Sequence, residues 1–379
     1  MPIPVLLTVR GLGIGGCERD LTKVALGLDR TRFEPHVGCF RPDGLRTGEL
    51  RAHGVPIVQF QVRSFLSPDV WKGARQLGAY AKKNGIQVMH AFDVPMDLFA
   101  VPASRFYGIP AVISSRLSFR ELVPSGTHRF LLRLADMMAH RIVVNSRAVQ
   151  NELVACEHVS PRRTVLSYNG VDLRIFHPEP RARKVFPEAS VIIGAVCALR
   201  PEKRLDLLLD AFARIRQAHT AARLLIVGSG PMLESLQAQT RTLEIEPFCH
   251  FEPSKTDVAE WMRSIDVFVM ASESESFPNA LLEAMACGCC PIGSRVGGIP
   301  ELVADGQDGL IFNSGDARDL ADRIELVMED PELRCRLAHE AARTAATQFS
   351  IEAAVERLQD LYTELLNKSV NPASVSPVR

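Results

Sequence analysis

Residues able to hold a phosphorylated sugar gather in the second half of the chain. Glu275 and Glu283 stand eight residues apart in SESESFPNALLEAMACG, residues 272–288, just after the apolar run Val267–Met270. With Glu275 on a loop and a helix starting near Pro278 or Asn279, Glu283 falls about one turn inside that helix and both carboxylates can face one side. Carboxylates accept hydrogen bonds from hydroxyls, so the pair suits a ligand with two polyol parts, such as a ribose and a sugar. Spacing alone leaves a second reading open, in which Glu283 is an ordinary solvated helix residue. The free amides beside Ser276-Phe277-Pro278-Asn279, with the helix dipole behind them, favour a phosphate. Arg200, Lys203 and Arg204, in LRPEKRLDLLLDAF (199–212), place three cations at a strand-to-helix turn where a ligand would carry its phosphates. A solvated basic loop is the other reading of those cations.

A second set lies near the start. RGLGIGGCERD, residues 10–20, has Gly11, Gly13 and Gly16 at dinucleotide spacing after the run Val5-Leu6-Leu7. A dinucleotide site also needs an acid at the end of the second strand for the ribose, and that strand ends in Arg41. An arginine there could meet the 2′-phosphate of NADP, so an oxidoreductase is weakened and not excluded. VGSGPM (227–232) is another glycine turn after a strand, readable as structural. His90 closes a candidate strand, at the edge where active-site residues collect. His128 and His140 lie on or beside a helical stretch, and packing or surface placement is the default reading of all three.

Two series of elements must position these groups. In the first, candidate strands Val5–Val9, Pro35–Phe40, Pro56–Gln59, Val88–His90, Ala111–Ser114 and Arg141–Val144 alternate with helical stretches Glu18–Leu28, Val70–Lys83 and Arg129–Met138. Asn84-Gly85 reads as a helix stop. After the Pro- and Arg-rich HPEPRARKVFPEAS (177–190) the pattern restarts, with strands Val191–Cys197, Arg223–Val227, Cys249–Phe251, Val267–Met270 and Pro291–Gly293 separated by helices. The pattern predicts an α/β chain of two Rossmann-like, doubly wound domains facing a cleft. The expected parts are residues 1–176, 177–350, a C-terminal helix 351–366 returning toward the first domain, and a mobile tail 367–379.

Composition narrows the class. The 379 residues balance 44 basic against 44 acidic side chains, which argues against a general polyanion or nucleic-acid binder. The nine cysteines are scattered, and Cys287-Gly-Cys289-Cys290 has no second ligand pair at metal spacing, so small buried thiols are expected and no metal. The start of the chain lacks a basic leader and its apolar run is too short for a signal core or a membrane span. With unpaired cysteines, this predicts a cytoplasmic protein, working in the cytosol or at the inner face of a membrane.

Taken together the segments resemble family 4 of the retaining glycosyltransferases, whose two Rossmann-like domains form the B-type glycosyltransferase fold. The resemblance runs in order through GIGGCERDLTKVALGL (13–28), RIVVNSRAVQNEL (141–153), SYNGVDLRIF (167–176), LRPEKRLDLLLDAF, VGSGPMLESL (227–236), SESESFPNALLEAMACG and VGGIPELVADGQDGLIF (296–312). It implies retaining, metal-independent transfer of a hexosyl group from a nucleotide diphospho-sugar, UDP- or GDP-linked, with no further cofactor. The acceptor would be a glycan or a lipid-linked hydroxyl, with peripheral membrane association. By the same resemblance Gly15 and Gly16 would lie near the donor diphosphate and Lys203 and Arg200 would grip it. Glu275 would contact the transferred sugar, Glu283 would hold the ribose, and amides around Phe277, Pro278 and Asn279 would meet sugar hydroxyls and phosphate. Two positions depart from the family pattern: Ala198 stands where many members have arginine, and Arg116 where many have a histidine near the reacting sugar. His90 and Arg116 are the acceptor-side candidates, and Arg116, Arg120 and His128 could serve a phosphorylated or lipid-linked acceptor. A nucleotide-sugar epimerase of the same architecture, an NADP oxidoreductase and a non-catalytic protein keeping the donor fold are the competing readings.

Overall fold

A computed structural model describes residues 1–13, 15–119, 126–179, 185–253 and 257–370. The chain divides into two compact units, one of Met1–Gly170 with the chain from Ile351 onward, the other Val171–Ser350.

The first unit alternates strand and helix: β1 (Ile3–Gly11), α1 (Gly16–Gly27), β2 (Phe33–Arg41), α2 (Leu45–Ala52), β3 (Ile57–Gln59), α3 (Asp69–Asn84), β4 (Val88–Ala91), α4 (Val94–Phe106), β5 (Ala111–Arg116), α5 (Gly126–Met138), β6 (Arg141–Val144), α6 (Arg147–Cys156) and β7 (Thr164–Leu166). The strands form one parallel sheet in the order β3-β2-β1-β4-β5-β6-β7. Central strands such as β4 and β5 are buried along their whole length, because helices cover both faces of a parallel sheet. One face carries α3, α4 and α5 over Leu6, Met89 and Val112. The other carries α1 and the final helix over Val5, Leu7 and Ile113. Local signals set the ends: Gly85 stops α3 in the left-handed conformation, φ 62°, and the Asp93 carboxylate caps α4 by accepting from the Met96 amide.

The second unit repeats the plan with β8 (Val191–Val196), α7 (Leu205–Arg216), β9 (Ala222–Val227), α8 (Leu233–Thr242), β10 (Cys249–Glu252), α9 (Val258–Arg263), β11 (Val267–Met270), α10 (Asn279–Ala286), β12 (Cys290–Ser294), α11 (Ile299–Leu302), β13 (Leu310–Phe312), α12 (Ala317–Glu329) and α13 (Pro331–Gln348). Its parallel sheet runs β10-β9-β8-β11-β12-β13. The chain enters and leaves this unit side by side, where Val171 bridges Ser350 and its amide donates to the Phe349 carbonyl at 2.8 Å. Arg263 holds the carbonyls of Ile175 and His177, so residues 171–176 belong here and the expected boundary at 176 moves to Gly170.

The last helix, α14 (Ile351–Val370), belongs to the first unit and runs four residues past the expected end at 366. The tail beyond 370 lies outside the described residues. Along α14, Ile351, Val355, Leu358 and Leu365 join the core beneath β1 and α1. Fully buried Tyr362 hydrogen-bonds His90 Nδ1 at 2.7 Å, while His90 Nε2 meets Ser115 Oγ at 2.7 Å. Burial drives the His90 pKa down to about 3, so the ring is neutral and fastens β4, β5 and α14 together.

Two stability predictions follow from that fastening. Tyr362→Phe, which strands a buried ring nitrogen, should lower unfolding free energy by about 1–3 kcal/mol in denaturant titrations. As for pH, unfolded His90 takes a proton below its ordinary pKa of 6.5 while the folded ring resists down to about 3. The unfolded state therefore binds more protons in that window, and stability falls on acidification. Asp93, pushed up to about 6 chiefly by burial, acts in the opposite direction, so the comparison must be with His90→Gln. The stability advantage of the unaltered protein over that variant should shrink by up to about 1.4 kcal/mol per pH unit below pH ~6.

Candidate functional site

In a doubly wound sheet the strand order reverses once, and the loops leaving the two strands at that point diverge and open a crevice at their carboxyl ends. In the second unit those strands are β8 and β11. The loop after β8 carries Arg200 and Lys203, and the loop after β11 carries Glu275. Lys203 Nζ and Glu275 Oε2 form a short ion pair across the reversal, with the side chains only 20% and 15% exposed. Ser272 Oγ lies 3.5 Å from the same carboxylate oxygen. The Glu275 carbonyl accepts from the Gly298 amide at 3.0 Å, and Ser294 Oγ donates to the Ser272 carbonyl at 2.6 Å, so the loop after β12 braces the one after β11.

The three cations of the sequence divide in role. Arg204 sits in the left-handed region, φ 48°, pairs with Asp206 at 3.1 Å and reaches Glu273 at 3.5 Å. It joins two loops of the protein and is not free for phosphates, which corrects the expectation of three phosphate-facing cations. Arg200 is 64% exposed and meets Glu202 only loosely, at 3.9 Å. Lys203 and Arg200 thus remain as the cations at the crevice, one locked to a carboxylate and one open to solvent.

Helix α10 starts at Asn279, and Glu283 lies one turn in. It is 1% exposed, which rules out the solvated reading. A carboxylate so deep in an apolar helix needs polar company to offset its desolvation. Phe277 is buried against Phe349, ring centroids 5.7 Å apart, so only its backbone faces outward chemistry. Pro278 caps the helix without an N–H to give, so the amide contributions must come from its neighbours.

The VGSGPM turn is structural in a specific way. A Cβ on Gly228 would overlap the Cys197 carbonyl oxygen, and one on Gly230 would overlap the Leu199 carbonyl oxygen. Backbone bonds from Leu199 N to Ser229 O (3.0 Å) and from Met232 N to Leu199 O (3.1 Å) tie this turn to the loop that carries Arg200 and Lys203. The cysteines are all free thiols; half-buried Cys197, in the same loop, is pushed up to about 12, mainly by desolvation.

The first unit has its own reversal, between β1 and β4. There the Arg10 amide donates to the Asp93 carboxylate at 2.7 Å. The glycine loop follows β1, and the Glu18 carboxylate lies where a Cβ on Gly15 would stand, while a Cβ on Gly16 would meet nothing within 4 Å. Burial, aided by the fields of Asp20, Asp93, Glu18 and Asp97, pushes the neighbouring Cys17 thiol up. Glu18 thus stands at the N-terminus of α1, in the same stretch as Arg10 and Arg19.

The acceptor-side candidates are placed otherwise than the sequence suggested. His90 is fully buried with both ring nitrogens engaged, beside a pocket of about 40 Å³ that has room for water and not for a sugar ring. Arg116 is 4% exposed and paired with Asp136, with Glu157 at 3.8 Å. Burial opposes its charge, but Asp136, Asp97 and Glu157 outweigh this and hold its pKa up; burial raises fully buried Asp97 well above the carboxylate range. Neither side chain is presented to solvent. Arg120 lies outside the described residues, and His128 is exposed. Asp93 was missed, although Asp-Val-Pro after a strand is a readable helix start. Among the described residues the one metal-like trio joins His219, just past the C-terminal end of α7, to Glu325 and Glu329 near the end of α12, and so sits at the opposite sheet edge from Lys203.

Comparison with known proteins finds matches along most of the chain. Residues 14–175 match the profile described as Glycosyltransferase Family 4, and residues 177–344 match Glycosyl transferases group 1. The chain is 28% identical over 328 residues to the N-acetyl-alpha-D-glucosaminyl L-malate synthase of Bacillus anthracis, spanning 84% of this chain and 85% of that one. It is 32% identical over 246 residues to the D-inositol 3-phosphate glycosyltransferase of Thermomonospora curvata, which takes in 59% of this chain and only 57% of that enzyme. The fold is shared with HepE of Anabaena, crystallised with UDP and glucose, at a TM-score of 0.84 and 23% identity, covering 96% of this chain and all of that one. It is also shared with a glycosyltransferase of Rickettsia africae, at 0.85 and 16%, covering 96% and 99%.

The backbone contact between the two loops makes a direct prediction. Gly228→Ala should destabilise the protein by about 1–3 kcal/mol, read as a lowered denaturation midpoint, because its methyl group would overlap the Cys197 carbonyl. Gly16→Ala, with open space at its Cβ, should leave that midpoint unchanged.

Proposed function

The chain belongs to family 4 of the glycosyltransferases, and from that premise we propose that it transfers a sugar from a nucleotide diphospho-sugar to an acceptor hydroxyl with retention at the anomeric carbon and without a metal ion. The observation that carries this reading is the Lys203–Glu275 pair at the strand reversal of the second unit, with Arg200 exposed beside it. A donor entering there brings negative charge for the cations and hydroxyls for the carboxylate. Lys203 Nζ then turns to the diphosphate and Glu275 to the transferred sugar, each released from the other. Buried Glu283 in α10 is the partner for the ribose hydroxyls. The complexes of HepE with UDP and glucose support a UDP-linked donor.

In the reaction the bond between the anomeric carbon and the β-phosphate oxygen breaks, and the acceptor oxygen bonds to that carbon on the same face. The acceptor proton passes to the departing phosphate oxygen. Negative charge grows on the diphosphate as the bond lengthens, and Lys203 and Arg200, fixed by the loop packing described above, stabilise it electrostatically. These cations supply the charge stabilisation that a divalent ion provides in other transferases. The acceptor is a glycan or lipid-linked hydroxyl used in glycan or glycolipid synthesis.

Lys203→Ala and Glu275→Gln should each lower kcat/KM by about 10²–10³-fold while circular dichroism stays unchanged. Arg200→Ala, at an exposed position, should raise the donor KM by about tenfold. EDTA should leave the rate unchanged. Near-unaltered transfer by both the Lys203 and Glu275 variants would remove the site from consideration, and interconversion of the donor sugar without any acceptor would favour an epimerase. A thermal-shift screen against UDP-, GDP-, ADP- and CMP-sugars identifies the donor, since a ligand bound to the folded state stabilises it by mass action.

A further inference from the structure

We propose that His219, Glu325 and Glu329 form a site for a divalent metal ion of the zinc type, at the edge of the second unit's sheet remote from Lys203. The inference rests on the second unit alone and stands whichever donor or acceptor the enzyme uses. One ligand atom from each residue, an imidazole nitrogen and two carboxylate oxygens, lies within 4.8 Å of the other two, and His219 Nε2 is 3.8 Å from Glu325 Oε1. Bonds of about 2.0–2.2 Å to a tetrahedral zinc set its ligands roughly 3.4 Å apart, so a turn of the glutamate side chains closes the set. Packing builds the site: Phe212 and Ile215 of α7 share the core of the unit with Ile324 and Val327 of α12, which brings the ends of the two helices together. His219 and Glu325 stand more than a hundred positions apart, so no ligand spacing in the sequence marks them.

Three further observations point to a cation. His219 Nε2 is a buried atom without a hydrogen-bond partner, although an imidazole nitrogen must either donate or accept. With the ring proton on Nδ1, that nitrogen offers its lone pair to an ion between it and the carboxylates. Glu325 and Glu329 stand one turn apart on α12, where like charges repel. They also lie toward the C-terminal end of that helix, where the dipole disfavours negative charge, and its last turn holds no basic residue. Among the described residues Glu325 has no lysine or arginine within 4 Å and Glu329 has no ion-pair partner. Arg216, Arg323 and Arg334 flank the trio in sequence but are engaged elsewhere, over the Phe248 ring at 3.6 Å, with Asp319 at 3.3 Å and on the Val327 carbonyl at 2.8 Å. A divalent ion relieves all three conditions at once. One imidazole and two carboxylates suit zinc, whereas magnesium and calcium take oxygen ligands. Glu329 is exposed, so water can complete the coordination. Helix α7, 12 residues and so about 18 Å long, lies between the ion and Lys203, and the ion braces α7 against α12 without a part in transfer.

Calorimetric titration of the full chain with zinc, and separately with magnesium, tests the site. Exposed thiols also take zinc, so the titrated protein carries Cys156→Ser and Cys335→Ser. It should bind one zinc ion per chain, with at least about tenfold preference over magnesium. Cobalt(II) in place of zinc should give a visible spectrum without a thiolate charge-transfer band. Added to that protein, His219→Gln and Glu329→Gln should each weaken zinc binding by about tenfold or more, since loss of even an outer partner of a metal ligand has that effect. Zinc at a hundredfold excess over its Kd should raise the melting midpoint by about 5 °C, and both glutamine variants should lose most of that rise. Glu329→Gln alters an exposed side chain and should keep the metal-free midpoint, so it decides the matter even if His219→Gln melts early. Absence of zinc binding would overturn the proposal, and so would unaltered zinc affinity in Glu329→Gln. Equal affinity for magnesium would overturn it too, since the trio would then be an acidic patch with its counter-ions. A thiolate band in the cobalt spectrum would do the same by placing the ion on a cysteine.

Discussion

Everything that bears on chemistry in this chain depends on one constraint, the reversal of strand order in a parallel sheet. At that point the loops of two adjacent strands part and leave polar backbone and side chains around a gap that no helix covers. The two units answer the same constraint differently. In the second, the gap between the β8 and β11 loops is bridged by a lysine and a glutamate. In the first, the β1 and β4 ends are closed by the protein's own Arg10 amide on the Asp93 carboxylate, with Glu18 against Gly15. One gap is therefore bridged by two side chains and the other by a backbone amide on a carboxylate. The Lys203–Glu275 pair is the side-chain link across the second gap, and Ser272 Oγ stands beside its carboxylate.

The packing around that gap accounts for how the pair is held. Loops lack a repeating backbone partner, so precision has to come from one loop leaning on another. Here the turn after β9 supports the loop after β8 through glycine-permitted backbone contact, and the loop after β12 supports the one after β11 through Ser294 and Gly298. Four neighbouring strand ends thus share one framework, and a methyl group at Gly228 reaches the loop of Lys203 through it.

What could be read from sequence was whatever repeats or sits in a dense local pattern. The buried strands β1, β4, β8 and β11 announce themselves as β-branched and aliphatic runs, and the Glu275–Glu283 segment carries its loop, helix start and carboxylates within a dozen residues. Helix α4 was not read, because VPMDLFAVPASRF is buried on most sides and contains Pro95 and Pro102, which erases the amphipathic period. Short β7 pairs only with β6 and carries too few residues to show a pattern. Side-chain fates were the least legible. Arg204 looked like its neighbours Arg200 and Lys203, yet Asp206 and Glu273 engage it; His90 sat at the right strand end, yet Tyr362 from 272 residues away covers it.

The return of the chain to its first unit has a consequence for synthesis. A ribosome delivers the protein from its amino end, and β1 to β7 emerge long before α14. Until residue 362 appears, His90 has no phenol over it, and the apolar face formed by Val5, Leu7 and Val24 lacks Val355 and Leu358. The second unit, continuous from Val171 to Ser350, needs nothing further once it has been made. The half of the chain made first is therefore the half completed last, and a message truncated just before codon 351 would yield a finished second unit tethered to an open, adhesive first one.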